Sequence, residues 1–147
     1  MLFKTDRFGM FIHFGIYSAA GWHEQMQLRR NVPKEEYIKL KDVFNPKDFN
    51  AEEIVKFAKD SGAQYICFTT KHHDGFCMWN TKYTDYNIMN TPFGRDILKE
   101  LADACEKYGI KLELYYSMPD WHYKHSINDG SEPHKLKQPN PGDEPDE

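Results

Sequence analysis

Long apolar runs are missing from this sequence: no stretch approaches the roughly 18 to 20 consecutive apolar residues that a membrane-spanning helix needs. The opening segment Met1-Leu2-Phe3-Lys4-Thr5-Asp6-Arg7 also has no apolar core of signal-peptide length. As written, the chain is therefore expected in the cytoplasm and off the membrane. Cysteine is scarce too. Cys67, Cys77 and Cys105 are an odd count without a CxxC pair, which excludes a disulfide framework and a cysteine-rich zinc site. Cys67 and Cys105 fall in apolar settings where cysteine serves as a small hydrophobe. Nor is there a basic stripe. Nineteen Lys and Arg face 23 Asp and Glu, for a net charge of −4. Four of those acids (Asp143, Glu144, Asp146, Glu147) crowd the last five positions, so the body is close to neutral and carries no nucleic-acid footprint.

What is present is a chain of one-domain size, 147 residues, in which 15% are aromatic. That richness suits either a packed core or a surface on which sugar rings stack, and by itself separates neither. The segment from Phe8 to Ile16, with His13 inside it, reads as a first strand ending near a site. A mixed excursion follows from Tyr17 to Phe49, with a short helix expected from Pro33, a first-turn proline, to Lys41.

From there the pattern is regular. Asn50 with Glu53 three positions on is a capping signature. Ile54, Phe57 and Ala58 form an i, i+3, i+4 apolar stripe, and Gly62 closes the helix. The apolar run 65–70 is a buried strand. After a loop over 71–94, Asp96 caps a second helix with Ile97, Leu98, Leu101 and Cys105 on one face. Gly109 ends that helix, and residues 111–117 form the next strand. A repeated helix–glycine–strand unit is the sequence form of parallel β/α construction. Three strands and two clear helices look like part of a larger repeat. Residues 1–128 are expected to form this partial α/β domain, and the acidic, Pro/Gly-rich stretch 129–147 a loop-like or disordered tail.

The polar groups that matter lie at strand ends. His13 follows the first strand, and Lys71-His72-His73-Asp74-Gly75-Phe76 follows the second. Tyr115, Trp121 and His122 surround the end of the third. In parallel α/β proteins that end of the sheet is where ligands meet the chain, and convergence from successive strand ends is how a (β/α)8 barrel builds a site. Adjacent histidines point different ways on an extended backbone, and no HxH or HxxxH spacing is present, so a metal site is not expected. Asp74 is expected to order the turn or a neighbouring imidazole.

Together these segments resemble a known family. Arg7-Phe8-Gly9-Met10-Phe11-Ile12-His13-Phe14-Gly15, Thr70-Lys71-His72-His73-Asp74-Gly75-Phe76, Trp79, Lys82-Tyr83-Thr84-Asp85, Arg95-Asp96 and Leu114-Tyr115-Tyr116-Ser117 look like the N-terminal part of an α-L-fucosidase of glycoside hydrolase family 29. The resemblance covers roughly residues 5 to 125. It implies the N-terminal portion of a (β/α)8 TIM barrel, incomplete in these residues, with no cofactor and a fucosylated glycan as substrate. It also implies that His13, His72 and His73 bond sugar hydroxyls, that Tyr115 sits beside the reacting carbon, and that Trp79 walls the pocket. Glu24 matches an acid that contacts sugar hydroxyls; where the family usually has tryptophan next, this chain has Gln25. Family members are retaining enzymes, and by resemblance the nucleophile ends the fourth strand with the acid/base further on. Neither is expected within these residues, so the 147-residue chain alone should not turn over. It should instead self-associate or rely on a complementary C-terminal fragment. The competing readings are a sugar-binding remnant and a metal-dependent hydrolase on a similar barrel.

Overall fold

The computed structural model describes residues 6–30 and 32–123. Three strands, β1 (Gly9–Ile12), β2 (Tyr65–Lys71) and β3 (Lys111–Tyr116), form one parallel sheet in the order β1-β2-β3. The register pairs Phe11 with Cys67 and Cys67 with Glu113, and it pairs Thr69 with Tyr115. Because side chains alternate along a strand, Phe11, Cys67, Thr69, Glu113 and Tyr115 share one face. Ile66 and Phe68 project from the other face into the core, with no exposed surface.

Two helices cover that core face: α3 (Ala51–Asp60) and α4 (Ile97–Tyr108). Their ends are built as the sequence implied. The Asn50 side chain accepts from the Glu53 amide at 3.2 Å, and Asp96 accepts from the Lys99 amide at 2.9 Å, each satisfying a helix N–H that has no intrahelical partner. Both helices close with the same paired bonds. Ala63 N reaches Ala58 O beside Gly62, and Ile110 N reaches Cys105 O beside Gly109, both at 3.0 Å.

One helical face departs from expectation. On α3 the buried stripe is Ala51, Val55 and Ala58, whereas Phe57 is 66% exposed. The stripe containing Ile54 and Phe57 instead borders Met10 and Ile12 at the β1 edge. On α4, Ile97, Leu101 and Cys105 are buried together with Ala104, while Leu98 is only partly covered.

The first strand is shorter than the apolar run that contains it, ending at Ile12. The chain then turns, held by the Thr69 hydroxyl, which accepts from Phe14 N at 3.0 Å and lies 3.2 Å from both Ile12 O and Phe14 O. The expected helix at 33–41 is split into α2 (Lys34–Tyr37) and a 3-10 segment, Ile38–Asp42, preceded by a single-turn α1 (Met26–Arg29). The loop after β2 is not featureless: Cys77 bridges both Lys71 and Asn87. Among the described residues, no helix is long and apolar enough to cross a membrane. The expected tail, 129–147, and its boundary at 128 lie outside the described residues.

Candidate active site

The turn after β1 and the turn after β2 bring the imidazoles together at the C-terminal end of the sheet. His13, exposed, stacks on Phe11 at 4.6 Å between ring centroids and stands 5.6 Å from His72 and 6.2 Å from Tyr115. Tyr115 lies nearly parallel to His72, with centroids 5.2 Å apart and planes 18° from parallel. Glu24 arrives from the excursion between β1 and α2. One ligand atom from each of His13, Glu24 and His72 falls within 4.8 Å of the other two. His73 packs against His72 at 4.3 Å and against Trp121 at 5.1 Å. The structure thus gathers His13, Glu24, His72, His73 and Tyr115 around one spot.

Trp79 is placed elsewhere. Its ring is 6.3 Å from Tyr116, which alternates to the other side of β3 from Tyr115. It rims a neighbouring cleft with Lys71, Tyr83, Tyr116 and Asp120. His122 also leaves the cluster and stacks on Tyr86 at 4.1 Å.

Electrostatics follow burial. His72 is buried, and desolvation, seconded by the neighbouring His73, lowers its pKa to about 4 although Glu24 pulls the other way. The ring is therefore neutral at ordinary pH. Asp74 is fully enclosed and its carboxyl is pushed up to about 6 by desolvation, against the bonds it accepts. Those bonds come from the Phe76 amide at 3.1 Å and the Tyr37 hydroxyl at 2.9 Å. Asp74 thus orders the turn, and its second oxygen meets a phenol rather than an imidazole. Lys71, 4% exposed, is neutralised by Asp120 at 2.9 Å, with Tyr116 beneath its ammonium.

Three contributors are not apparent from residue type and spacing. Tyr17, 3% exposed, lies edge-on to His72 at 6.4 Å; its hydroxyl is buried near that of Thr69, and burial raises its pKa. Gly15 makes room for that ring, since a Cβ there would lie 2.6 Å from Tyr17 Cε1. Tyr37 and Ser117 act through partners distant in sequence. A glycine two positions before Tyr17 was the only local hint.

What this arrangement can do is bond hydroxyls. Neutral imidazoles donate and accept, a carboxylate accepts, and Phe11 adds an exposed apolar face. A parallel α/β sheet carrying such a set at its C-terminal rim is the kind of arrangement on which (β/α)8 enzymes, glycoside hydrolases among them, build their sites. A model of the alpha-L-fucosidase family matches residues 1–140. Human plasma alpha-L-fucosidase is 31% identical over 154 aligned residues, spanning 92% of this chain and 33% of that protein. The unliganded alpha-L-fucosidase AlfC of Lactobacillus casei is 42% identical with a TM-score of 0.85, over 95% of this chain and 47% of that one. A family 29 alpha-L-fucosidase of Bacteroides thetaiotaomicron, solved as a trapped covalent intermediate with 2-fluoro-fucosyl fluoride, is 41% identical with a TM-score of 0.79, over 86% and 32% of the two chains. A D-to-A variant of AlfC has been solved with Fuca(1,6)GlcNAc. The chain belongs to the alpha-L-fucosidases of glycoside hydrolase family 29. It spans about a third of the human plasma relative.

Proposed function

We propose that these residues form the fucose-recognising part of an α-L-fucosidase catalytic barrel, an enzyme that removes terminal α-L-fucose from glycoconjugates or oligosaccharides with retention of configuration. The observation that carries this reading is the convergence of His13, Glu24 and His72 within 4.8 Å, with Tyr115 stacked on His72. A deoxyhexose needs directional partners for its hydroxyls and an apolar surface for its methyl group. The imidazoles of His13, His72 and His73 and the Glu24 carboxylate supply the first. Phe11, edge-on to Tyr115 at 5.9 Å, supplies the second. The covalent intermediate of the Bacteroides relative supports retention, and the AlfC complex supports a fucosylated glycan as substrate.

A retaining mechanism needs a nucleophile and an acid/base carboxyl about 5–5.5 Å apart. Glu24 stands among imidazoles, Asp74 is sealed against Tyr37, and Asp120 is paired with Lys71. The resemblance to the family implies that the reaction's pair comes from strands beyond β3. That favours a second reading for the 147 residues taken alone: a sugar-binding piece without turnover, completed by a complementary C-terminal portion or a second copy.

The test has two arms. Calorimetric titration of the purified chain should show L-fucose binding that His13→Ala weakens by about tenfold or more, while 4-nitrophenyl α-L-fucopyranoside releases no nitrophenol. Binding of D-galactose as strong as L-fucose would sink the pocket assignment. Nitrophenol release well above a His73→Ala control would sink the division of labour.

A further inference from the structure

The two adjacent imidazoles meet partners whose donor or acceptor character is not free to change. The backbone amide of His73 donates to Nδ1 of His72 at 2.9 Å. An amide nitrogen carries a proton and no available lone pair, so Nδ1 must be bare. A neutral imidazole then carries its single proton on Nε2. Burial keeps His72 neutral, since a second proton on Nδ1 would face the amide proton.

His73 meets the opposite constraint. Its Nδ1 makes a short contact with the Ser117 hydroxyl. That hydroxyl also bonds the carbonyl of Pro119 at 2.8 Å. A carbonyl can only accept, so the single proton of Ser117 goes to Pro119, and the Tyr115 phenol, also within reach of Ser117, brings a proton of its own. What Ser117 turns toward His73 is a lone pair, and His73 Nδ1 must be the donor. In the neutral ring the bare nitrogen is then Nε2.

We propose that the His73 amide and the Ser117 hydroxyl hold the two neighbouring histidines in opposite tautomers, with the proton on Nε2 in His72 and on Nδ1 in His73. Ser117 is in this sense a positioning residue that acts through His73. One nitrogen of His72 and one oxygen of Glu24 lie within 4.8 Å of each other, so a hydroxyl held between the two side chains can accept from His72 while giving its proton to Glu24. A divalent ion drawn by the same three side chains would need a bare nitrogen on His72, and because Nδ1 already accepts from the His73 amide it would need a bare Nε2. Supplying one breaks the bond from the His73 amide, so the cluster favours a hydroxyl over a metal. Opposite tautomers on neighbouring rings also fix which hydroxyls are read as donors and which as acceptors, a discrimination that two freely exchanging imidazoles lack.

The ligand side of this inference rests on the fucose reading above; the tautomers do not. Long-range 1H–15N correlation spectra of the full chain labelled with 15N-histidine distinguish protonated from bare ring nitrogens, and His72→Gln and His73→Gln assign the signals. The expected result is a bare Nδ1 on His72 and a bare Nε2 on His73 near neutral pH. Ser117→Ala should move the His73 pattern to the other tautomer or a mixture and leave that of His72 in place, which also reports an intact fold. Ser117→Thr should restore it. The same tautomer on both rings, or a His73 pattern indifferent to Ser117→Ala, would overturn the inference. In fucose titrations, Ser117→Ala should weaken binding by about five- to tenfold, the size of one hydrogen bond, and Ser117→Thr should recover it. A wild-type chain that binds no fucose would remove the functional reading, while the tautomer signals would still decide this one.

Discussion

The Tyr37 hydroxyl donates to Asp74 Oδ2 at 2.9 Å, and both residues are at most 2% exposed. This bond ties α2, in the long excursion after β1, to the turn that carries His72 and His73. Removing the hydroxyl strands one oxygen of a buried carboxyl, and such an unpaired group costs about 1–3 kcal/mol. Tyr37→Phe should therefore lower the urea midpoint with an unchanged slope. An unaltered midpoint would mean that the Phe76 amide holds Asp74 without help.

Asp74 and His72 should give stability opposing dependences on pH. Asp74 is held at about 6 in the fold against an ordinary 3.8. Between those values the folded chain binds more protons than the unfolded one, so stability falls as pH rises and is flat above about 6. His72 is held at about 4 against 6.5. There the unfolded chain binds more protons, so its contribution is present above the unfolded value and is lost as pH falls toward about 4. The two slopes oppose one another over most of that range. Asp74→Asn should expose the rise with pH that belongs to His72, and His72→Gln should expose the fall that belongs to Asp74. Urea midpoints measured across this window check both. Parallel curves for Asp74→Asn and wild type would refute the Asp74 assignment.

Gly75 is demanded by its neighbours as well as by its backbone. Its φ is +79°, and a Cβ there would lie 2.4 Å from Asp120 Oδ1 and 2.7 Å from His122 Cβ. Gly75→Ala adds the left-handed penalty of roughly 1–2 kcal/mol to a contact that must push the segment after β3 away. That segment holds Asp120 against Lys71 and bonds Trp121 N to His73 O at 2.6 Å. The variant should lose stability and weaken fucose binding together. Lost stability with full binding would show that this segment does not support His73.

Much of the scaffold was legible because its signals are local. Asn50, Gly62, Asp96 and Gly109 each act within a few residues of themselves, and the strands between them followed. Phe57 misled for a physical reason: two apolar stripes run along α3, and composition does not say which one meets the sheet. Val55, two residues from Phe57, faces the core instead. The histidine cluster was legible through strand ends and family resemblance. Tyr37 reaches Asp74 across 37 positions, and Ser117 reaches His73 across 44. Nothing in the spacing of either pair marks the contact.

The separation of Trp79 from the cluster has a binding consequence. His13 faces His72 and Tyr115, whereas Trp79 stands with Tyr116 on the far side of the β3 alternation. His13→Ala should weaken L-fucose binding by about tenfold or more, the loss of a hydrogen bond with its packing. Trp79→Ala should weaken it by less than about threefold. Equal losses would place Trp79 against the sugar ring and require the neighbouring cleft to close over it.

Both rims of the sheet carry apolar groups that no described residue covers. Phe11 is 51% exposed and Phe57 66% beside β1, and Leu114 is 58% exposed on β3 with Met118 at 84% just beyond. Parallel sheets ordinarily have both faces covered, and unpaired edges recruit other strands. The isolated chain should therefore elute above its monomer mass in size-exclusion chromatography with light scattering, increasingly so at higher concentration. Phe57→Lys with Leu114→Lys replaces exposed side chains outside the histidine cluster, where substitutions shift stability by about 0.5 kcal/mol or less. The double variant should move the population toward monomer and keep its histidine signals. A wild-type chain that runs as a compact, heat-stable monomer would mean that these surfaces are covered by the chain itself.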